Sequence, residues 1–323
     1  MPIYYAITSL RNTLYDLGLK KSTSYHFPVI CVGNLSVGGT GKTPMIEYLI
    51  ELLKDDYKVA TLSRGYKRKT KGFQLANEFS NAESLGDEPF QFYNKFREAI
   101  LVAVDSNRRN GIETLQKQHH TPEVILLDDA FQHRKVKAGF NILLTTYAKP
   151  YFKDVVLPSG NLREPRSGAK RANIIIVTKC PKGLLENEKH SIVKQINPME
   201  HQHVFFSSID YANEVVSLDS SIKIEDLTNF TLVTGIANSK PLVDFLNDKN
   251  LKFEHLNFKD HYEFSQQDIA ALNKKTSIVT TEKDFMRLKQ YDSLKAKLFY
   301  LPITTVIDNS RAFNTLIKTF ANS

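Results

Sequence analysis

Val29-Ile30-Cys31-Val32-Gly33-Asn34-Leu35-Ser36-Val37-Gly38-Gly39-Thr40-Gly41-Lys42-Thr43, continuing through Pro44 to Lys54, is the stretch from which the fold can be read. Its first residues form an unbroken aliphatic run, as expected of a strand buried on both faces. A glycine-rich turn follows, and then a segment with helical apolar spacing. Strand, glycine-rich turn and helix in that order make a phosphate-binding loop over Ser36, Val37, Gly38, Gly39, Thr40, Gly41, Lys42 and Thr43. The glycines let successive N–H groups turn inward at a positive helix end. Lys42 is positioned to reach β- and γ-phosphates, and the Thr43 hydroxyl to face Mg²⁺. The usual loop opens on glycine; here Ser36 stands in that place.

Working outward, similar runs recur at Val59 to Leu62, Ile100 to Val104, Val124 to Leu127, Ile142 to Leu144 and Ile174 to Val177, with helical stretches between them. The alternation predicts an α/β fold, a mostly parallel sheet with helices on both faces. After Val204 to Phe206 the polar stretch Asp210 to Asp226 interrupts it. Strands then resume at Leu232 to Val233, Phe253 to Leu256, Ile278 to Thr280 and Leu298 to Leu301. A chain of 323 residues exceeds one average core. Three segments are therefore expected: an amphipathic N-terminal helix over 1–21, a nucleotide-binding domain over 22–209, and a smaller α/β domain over 210–323.

Along the N-terminal segment, Ile3, Ile7, Leu10, Leu14 and Leu17 share one helical face, flanked by Arg11, Lys20 and Lys21. Two readings stand at this point: a helix lying on an anionic membrane, or a terminal helix packed on its own domain through that stripe. The net charge of +8 calls for an anionic partner without choosing among nucleic acid, membrane and phosphorylated substrate. No aromatic and basic nucleic-acid motif accompanies it. Cys31 and Cys180 lie in or beside apolar runs, as in a reducing compartment, and no stretch resembles a signal peptide or a membrane span, so a cytosolic setting is expected.

The acids Asp128 and Asp129 close the run Val124 to Leu127, where a Mg²⁺-holding carboxylate belongs. Asp87 and Glu88 follow Gly86, and either could take up the proton of an acceptor hydroxyl; an acidic first turn of a helix explains them equally well. Arg64, Arg108 and Arg163 fall in predicted loops suited to reading phosphate, although each also fits a solvated surface charge. His133, in Gln132-His133-Arg134, and His261, in Asp260-His261-Tyr262, are the histidines in clusters, and neither has zinc-site spacing. Pro181 replaces the carboxylate that a guanine-reading Thr-Lys-x-Asp segment needs, which favours ATP over GTP.

The ordered set formed by the phosphate loop through Pro44, Ser63-Arg64-Gly65-Tyr66, Gly86-Asp87-Glu88-Pro89, Asp128-Asp129-Ala130-Phe131-Gln132-His133, Leu157 to Pro165, Asp260-His261 and Thr281-Glu282-Lys283-Asp284 resembles the tetraacyldisaccharide 4'-kinase family over nearly the whole chain. The resemblance implies transfer of the ATP γ-phosphate, with Mg²⁺, to the 4'-hydroxyl of the lipid A disaccharide 1-phosphate precursor. It also implies a setting on the anionic cytoplasmic face of the bacterial inner membrane, a P-loop kinase domain, a smaller second α/β domain, and an N-terminal helix that touches the bilayer. By the same resemblance Asp87 activates the acceptor hydroxyl and His261 tunes it, while Glu88, Asp128 and Asp129 are the metal and active-site acids. Arg64, Arg108, His133 and Arg163 remain the candidates for substrate contact. Ala130 and Asn161 depart from the family's usual glycine and proline. The alternative from another class is a P-loop NTPase that hydrolyses its nucleotide to drive assembly or metal insertion.

Overall fold

The computed structural model describes residues 2–260 and 262–323, and the chain divides into two compact units: residues 1–209 with 305–323, and residues 210–304. His261 lies outside the described residues.

The strands are β1 (Val29–Asn34), β2 (Val59–Ser63), β3 (Gln74–Leu75), β4 (Leu101–Val104), β5 (Val124–Asp128), β6 (Phe140–Thr146), β7 (Ile174–Thr178), β8 (His203–Tyr211), β9 (Glu214–Val216), β10 (Ser221–Lys223), β11 (Phe230–Thr234), β12 (Phe253–Asn257), β13 (Ile278–Thr280), β14 (Leu298–Tyr300) and β15 (Ile303–Ile307). The helices are α1 (Pro2–Asp16), α2 (Lys42–Leu53), α3 (Ala82–Leu85), α4 (Asp87–Phe96), α5 (Arg108–Leu115), α6 (Glu186–Ile196), α7 (Lys240–Asp248), α8 (Gln266–Asn273), α9 (Glu282–Leu288), α10 (Asp292–Lys295) and α11 (Ser310–Ala321).

In the first unit nine strands form one sheet in the order β15-β8-β7-β6-β1-β5-β2-β4-β3. From β8 to β4 every described pairing is parallel, and β3 runs antiparallel at the edge. The aliphatic runs have side chains on both faces to bury, which is why they read as continuous rather than alternating. Val29 and Cys31 point into a core that includes Ile112 and Leu115 of α5, while Ile30 and Val32 point into one built from α2, α4 and α11. From β1 the chain passes through α2 to β2, skipping the β5 position between them. The carboxyl ends of β1, β5 and β2 thus gather at one edge of the sheet, where such folds place ligands.

The second unit has six strands in the order β10-β9-β14-β13-β11-β12, with β11 to β14 parallel and β9 and β10 antiparallel. Its core holds Leu232, Val279, Leu242, Leu246 and Phe299. Asp284 is buried there, accepting from the Gly235 N–H at 2.8 Å and the Thr281 hydroxyl at 2.7 Å.

Two expectations differ from the structure. The second domain was expected to run through 323, but residues 305–323 return to the first unit. There β15 takes the sheet edge, and α11 seats Phe313 and Ile317 against Phe205 and the β1 aliphatics. The alternating stretch Ile303–Ile307 has no continuous apolar run to mark it as a strand of the larger sheet. The N-terminal helix also stops at Asp16 rather than Lys21, because Gly18 takes the left-handed conformation (φ 73°) that closes helices.

Candidate active site

The phosphate loop hangs between the end of β1 and the start of α2 and is held on several sides. Asn34, buried at the end of β1, donates from Nδ2 to Thr40 Oγ1 at 2.8 Å. From the end of β7, Thr178 Oγ1 donates to the Thr40 carbonyl at 2.8 Å and Lys179 Nζ to the Gly39 carbonyl at 2.7 Å. Across from them, Ser36 forms an antiparallel bridge with Leu162, and the Val37 N–H reaches the Asn161 carbonyl at 2.8 Å. The unusual opening residue is therefore carried by strand-like pairing. Gly38 (φ 100°) and Gly41 (φ 89°) occupy backbone angles that a side chain resists. Gly41 caps α2 without a side-chain bond to the helix amides, which leaves a positive helix end facing the loop.

Beside the loop stands the acidic pair. Asp129, in the left-handed region at φ 48°, takes a two-pronged contact from Arg163 at 2.7 and 3.2 Å and lies 3.8 Å from Lys42 Nζ. Arg163 also donates to the Asn34 side chain and carbonyl. Burial pushes the Asp129 carboxyl up, but Lys42, Arg163 and Arg108 outweigh it and hold the carboxyl below the usual range. Asp128 goes the other way. Burial, with Asp129 and Glu88 adding to it against Lys42 and Arg108, pushes its carboxyl up to about 6. Its Oδ2 accepts from Ser63 Oγ at 3.2 Å, while no described side chain or backbone group bonds Oδ1. A buried carboxylate oxygen without a donor is costly, and a cation removes the cost.

Glu88 is near enough to Asp128 to raise it, so the two carboxylates share one field. Asp87 and Glu88 form the first turn of α4 behind Gly86, whose positive φ of 95° lets that loop lie against Gly65 and Tyr66; a Cβ there would come within 3.0 Å of the Tyr66 carbonyl. Arg64, at the end of β2, is exposed. Arg108 is not: its guanidinium is buried, donating to the carbonyls of Asp105 at 3.0 Å and Asp128 at 3.2 Å. It supports the acidic strand end from behind. His133 is half-buried with Nε2 unbonded among the described residues. Burial, together with Arg108, Lys135, Arg11 and Arg64, pushes its imidazole down to about 4, so it is neutral at physiological pH.

The first unit thus brings together the whole loop, Lys42, Thr43, Asp128, Asp129, Glu88 and Arg163. Sequence reasoning overlooked Asn34 and the part Thr178 and Lys179 play in holding the loop; a buried Asn closing an aliphatic strand was the available signal. It also overlooked Glu164, Gln132 and Asn12, which meet beneath α1.

α1 itself is inverted relative to an ordinary surface helix. Ile3, Ile7 and Leu10 are 75%, 59% and 62% exposed and Leu14 is half-buried, whereas Asn12 is buried. No described helix is long and apolar enough to cross a membrane.

Residues 2–322 match the family described as tetraacyldisaccharide-1-P 4'-kinase. The chain is 53% identical over 321 residues to a tetraacyldisaccharide 4'-kinase of Flavobacterium johnsoniae, covering 98% of this chain and 93% of that one. It is 44% identical to the protein of the same name from Bacteroides thetaiotaomicron, covering 93% and 86%. Among solved structures it resembles LpxK from Aquifex aeolicus, described as an apo form in complex with ATP, with a TM-score of 0.78 and 32% identity over 98% of this chain and 96% of that one.

Proposed function

The chain belongs to the tetraacyldisaccharide-1-P 4'-kinase family, and from that membership and the geometry of its phosphate loop we infer that it transfers the γ-phosphoryl group of ATP to the 4'-hydroxyl of the tetraacylated disaccharide 1-phosphate on the way to lipid A. The observation that carries the reading is the convergence of Lys42, Asp128 and Asp129 at the carboxyl ends of β1 and β5.

The loop amides and the α2 terminus receive the β- and γ-phosphates. Lys42 follows the negative charge as it shifts from the transferred group to the leaving oxygen. Arg163 and Lys42 keep Asp129 ionised, and in return Asp129 holds both cations where phosphate oxygens arrive. The residues present fit Mg²⁺: a hard cation of this kind takes one or two carboxylates and completes its shell with water and phosphate, and Asp128 Oδ1 is a buried oxygen in want of a partner. Asp128, the Thr43 hydroxyl and Glu88 would hold it, and the ion would supply positive charge against the phosphates when bound.

Asp87 takes the proton of the 4'-hydroxyl as the oxygen attacks, and its place beside Glu88 at the head of α4 supports this; His261, outside the described residues, is the second catalytic candidate. Arg64, Arg163 and His133 face the substrate, and Arg108 acts through Asp128. The exposed apolar stripe of α1, flanked by Lys20 and Lys21, rests on the anionic membrane surface and meets the acyl chains, on the cytoplasmic side where ATP is present.

Purified protein incubated with Mg-ATP and the disaccharide 1-phosphate is expected to yield a product heavier by one phosphate. Nucleotide turnover that is indifferent to the lipid, with no such product, would favour the hydrolytic reading instead.

A further inference from the structure

Glu164 is 2% exposed and follows Arg163, whose guanidinium grips Asp129. Its Oε1 accepts from Gln132 Nε2 at 2.9 Å and from Arg171 Nη2 at 2.8 Å; its Oε2 accepts from Asn12 Nδ2 at 2.7 Å and from the same Arg171 nitrogen at 2.9 Å. Three elements far apart in sequence therefore end on one carboxylate: α1, the loop after β5, and the 3-10 turn Arg166–Arg171. Gln132 passes the contact on, donating from the same Nε2 to the Asn34 carbonyl at 2.8 Å, the residue from which the phosphate loop is hung. Arg171 clamps the other side, its guanidinium 4.6 Å above the Phe131 ring.

α1 has further attachments to the same ground. Arg11 Nη2 donates to the Gln132 carbonyl at 2.7 Å, the Tyr4 hydroxyl to the Arg163 carbonyl at 2.9 Å, and Arg134 Nη1 to the Asn12 carbonyl at 3.2 Å. The polar face of α1 thus grips the residues on either side of the site, while its apolar face points away from the protein.

We propose that Glu164 is a positioning residue that joins α1 to the loop bearing Gln132 and His133 and to Arg163, so that the seating of α1 sets the alignment of the phosphate-transfer site. The proposal rests on the kinase reading for its catalytic consequence. A buried carboxylate with every lone pair engaged has one geometry, and hydrogen bonds to a charged acceptor are the stronger kind. Loss of one limb therefore loosens the others without removing a group that touches substrate.

The test uses the full-length protein with Glu164→Gln, Glu164→Asp and Asn12→Ala. Glu164→Gln keeps the shape but turns an acceptor into a donor facing Arg171 or Gln132. It is expected to lower kcat for lipid phosphorylation about ten- to a hundredfold, as a small misplacement of reacting groups does, with little change in the affinity for a fluorescent ATP analogue. Glu164→Asp should recover part of the loss. Asn12→Ala, which cuts only the α1 limb, should cost about three- to tenfold in kcat, and the double variant should be no worse than Glu164→Gln alone. Hydrogen exchange at residues 129–134 should quicken in Glu164→Gln and in Asn12→Ala by at least about threefold, a readout independent of the lipid substrate. Unchanged exchange there in a folded Asn12→Ala protein, or fully multiplicative losses in the double variant, would overturn the proposal. Quickened exchange in a protein whose wild type phosphorylates no lipid would sink the kinase reading and leave the linkage standing.

Discussion

Among single residues, Lys42 makes the plainest commitment. Its ammonium is 3.8 Å from Asp129 and has no packing duty, so Lys42→Ala should fold normally and cut turnover at saturating ATP at least about a hundredfold; near wild-type turnover would remove the nucleotide-site assignment. Asp87→Ala is expected to cost about a thousandfold in turnover and His261→Ala about ten- to a hundredfold; near wild-type turnover in either folded variant would remove that residue from the catalytic set. His133 yields a pH prediction whose sign follows from its burial. With the folded imidazole at about 4 and the unfolded one near 6.5, protons bind the unfolded chain first. His133 stability is thus complete above about pH 6.5 and drains away as pH falls toward 4. His133→Asn should flatten that part of a pH–melting curve, and no titration of His133 should be seen by NMR between pH 6 and 8. At this scale the sequence was informative wherever chemistry depends on adjacency: the loop residues and Asp128-Asp129 announce themselves. Arg108 was misjudged as a loop cation because nothing local says that its guanidinium turns inward beneath the acidic strand end. Glu164 stayed hidden because its partners lie at Asn12 and Gln132, and only the fold introduces them.

At the level of elements, α1 shows what periodicity can and cannot tell. Spacing of three and four correctly groups Ile3, Ile7 and Leu10, but it says only that they share a face and not whether protein or surroundings cover it. The structure turns them outward because Asn12, on the opposite face, and Arg11, on the flank, have hydrogen-bonding partners at Glu164 and in the loop after β5. The two faces should separate kinetically. Replacing Ile3, Ile7 and Leu10 together by Ser removes apolar contact worth roughly 1.5–3 kcal/mol per fully buried side chain. It should therefore weaken binding to anionic liposomes at least about a hundredfold and raise the KM for lipid, leaving kcat and melting temperature alone. A variant that instead melts early would mean that the stripe is covered by the protein. β1, β5 and β7 were legible because doubly buried strands must be aliphatic throughout; β3, β9, β10 and β15 were not, being short or edge strands whose composition carries no such demand.

For the whole molecule, the most consequential departure from the linear reading is that the larger unit is discontinuous, with residues 305–323 completing a core begun at Ile30. Phe313 is fully buried, edge-on to both Tyr48 and Phe205, so Phe313→Ala should cost about 3–5 kcal/mol in urea unfolding. Arg311→Ala, on the exposed side of the same helix, should cost almost nothing; equal costs would mean that α11 is not part of that core. The same discontinuity imposes a timetable on the newborn chain. Polypeptides leave the ribosome from the amino end at about 5–20 residues per second, so nearly all of the second unit, residues 210–302, emerges before β15 and α11 do. The smaller unit can be folded while the larger one still waits with Ile30, Val32 and Phe205 uncovered. The core behind β1, though begun near the start of the chain, is therefore complete only once synthesis has passed the second unit.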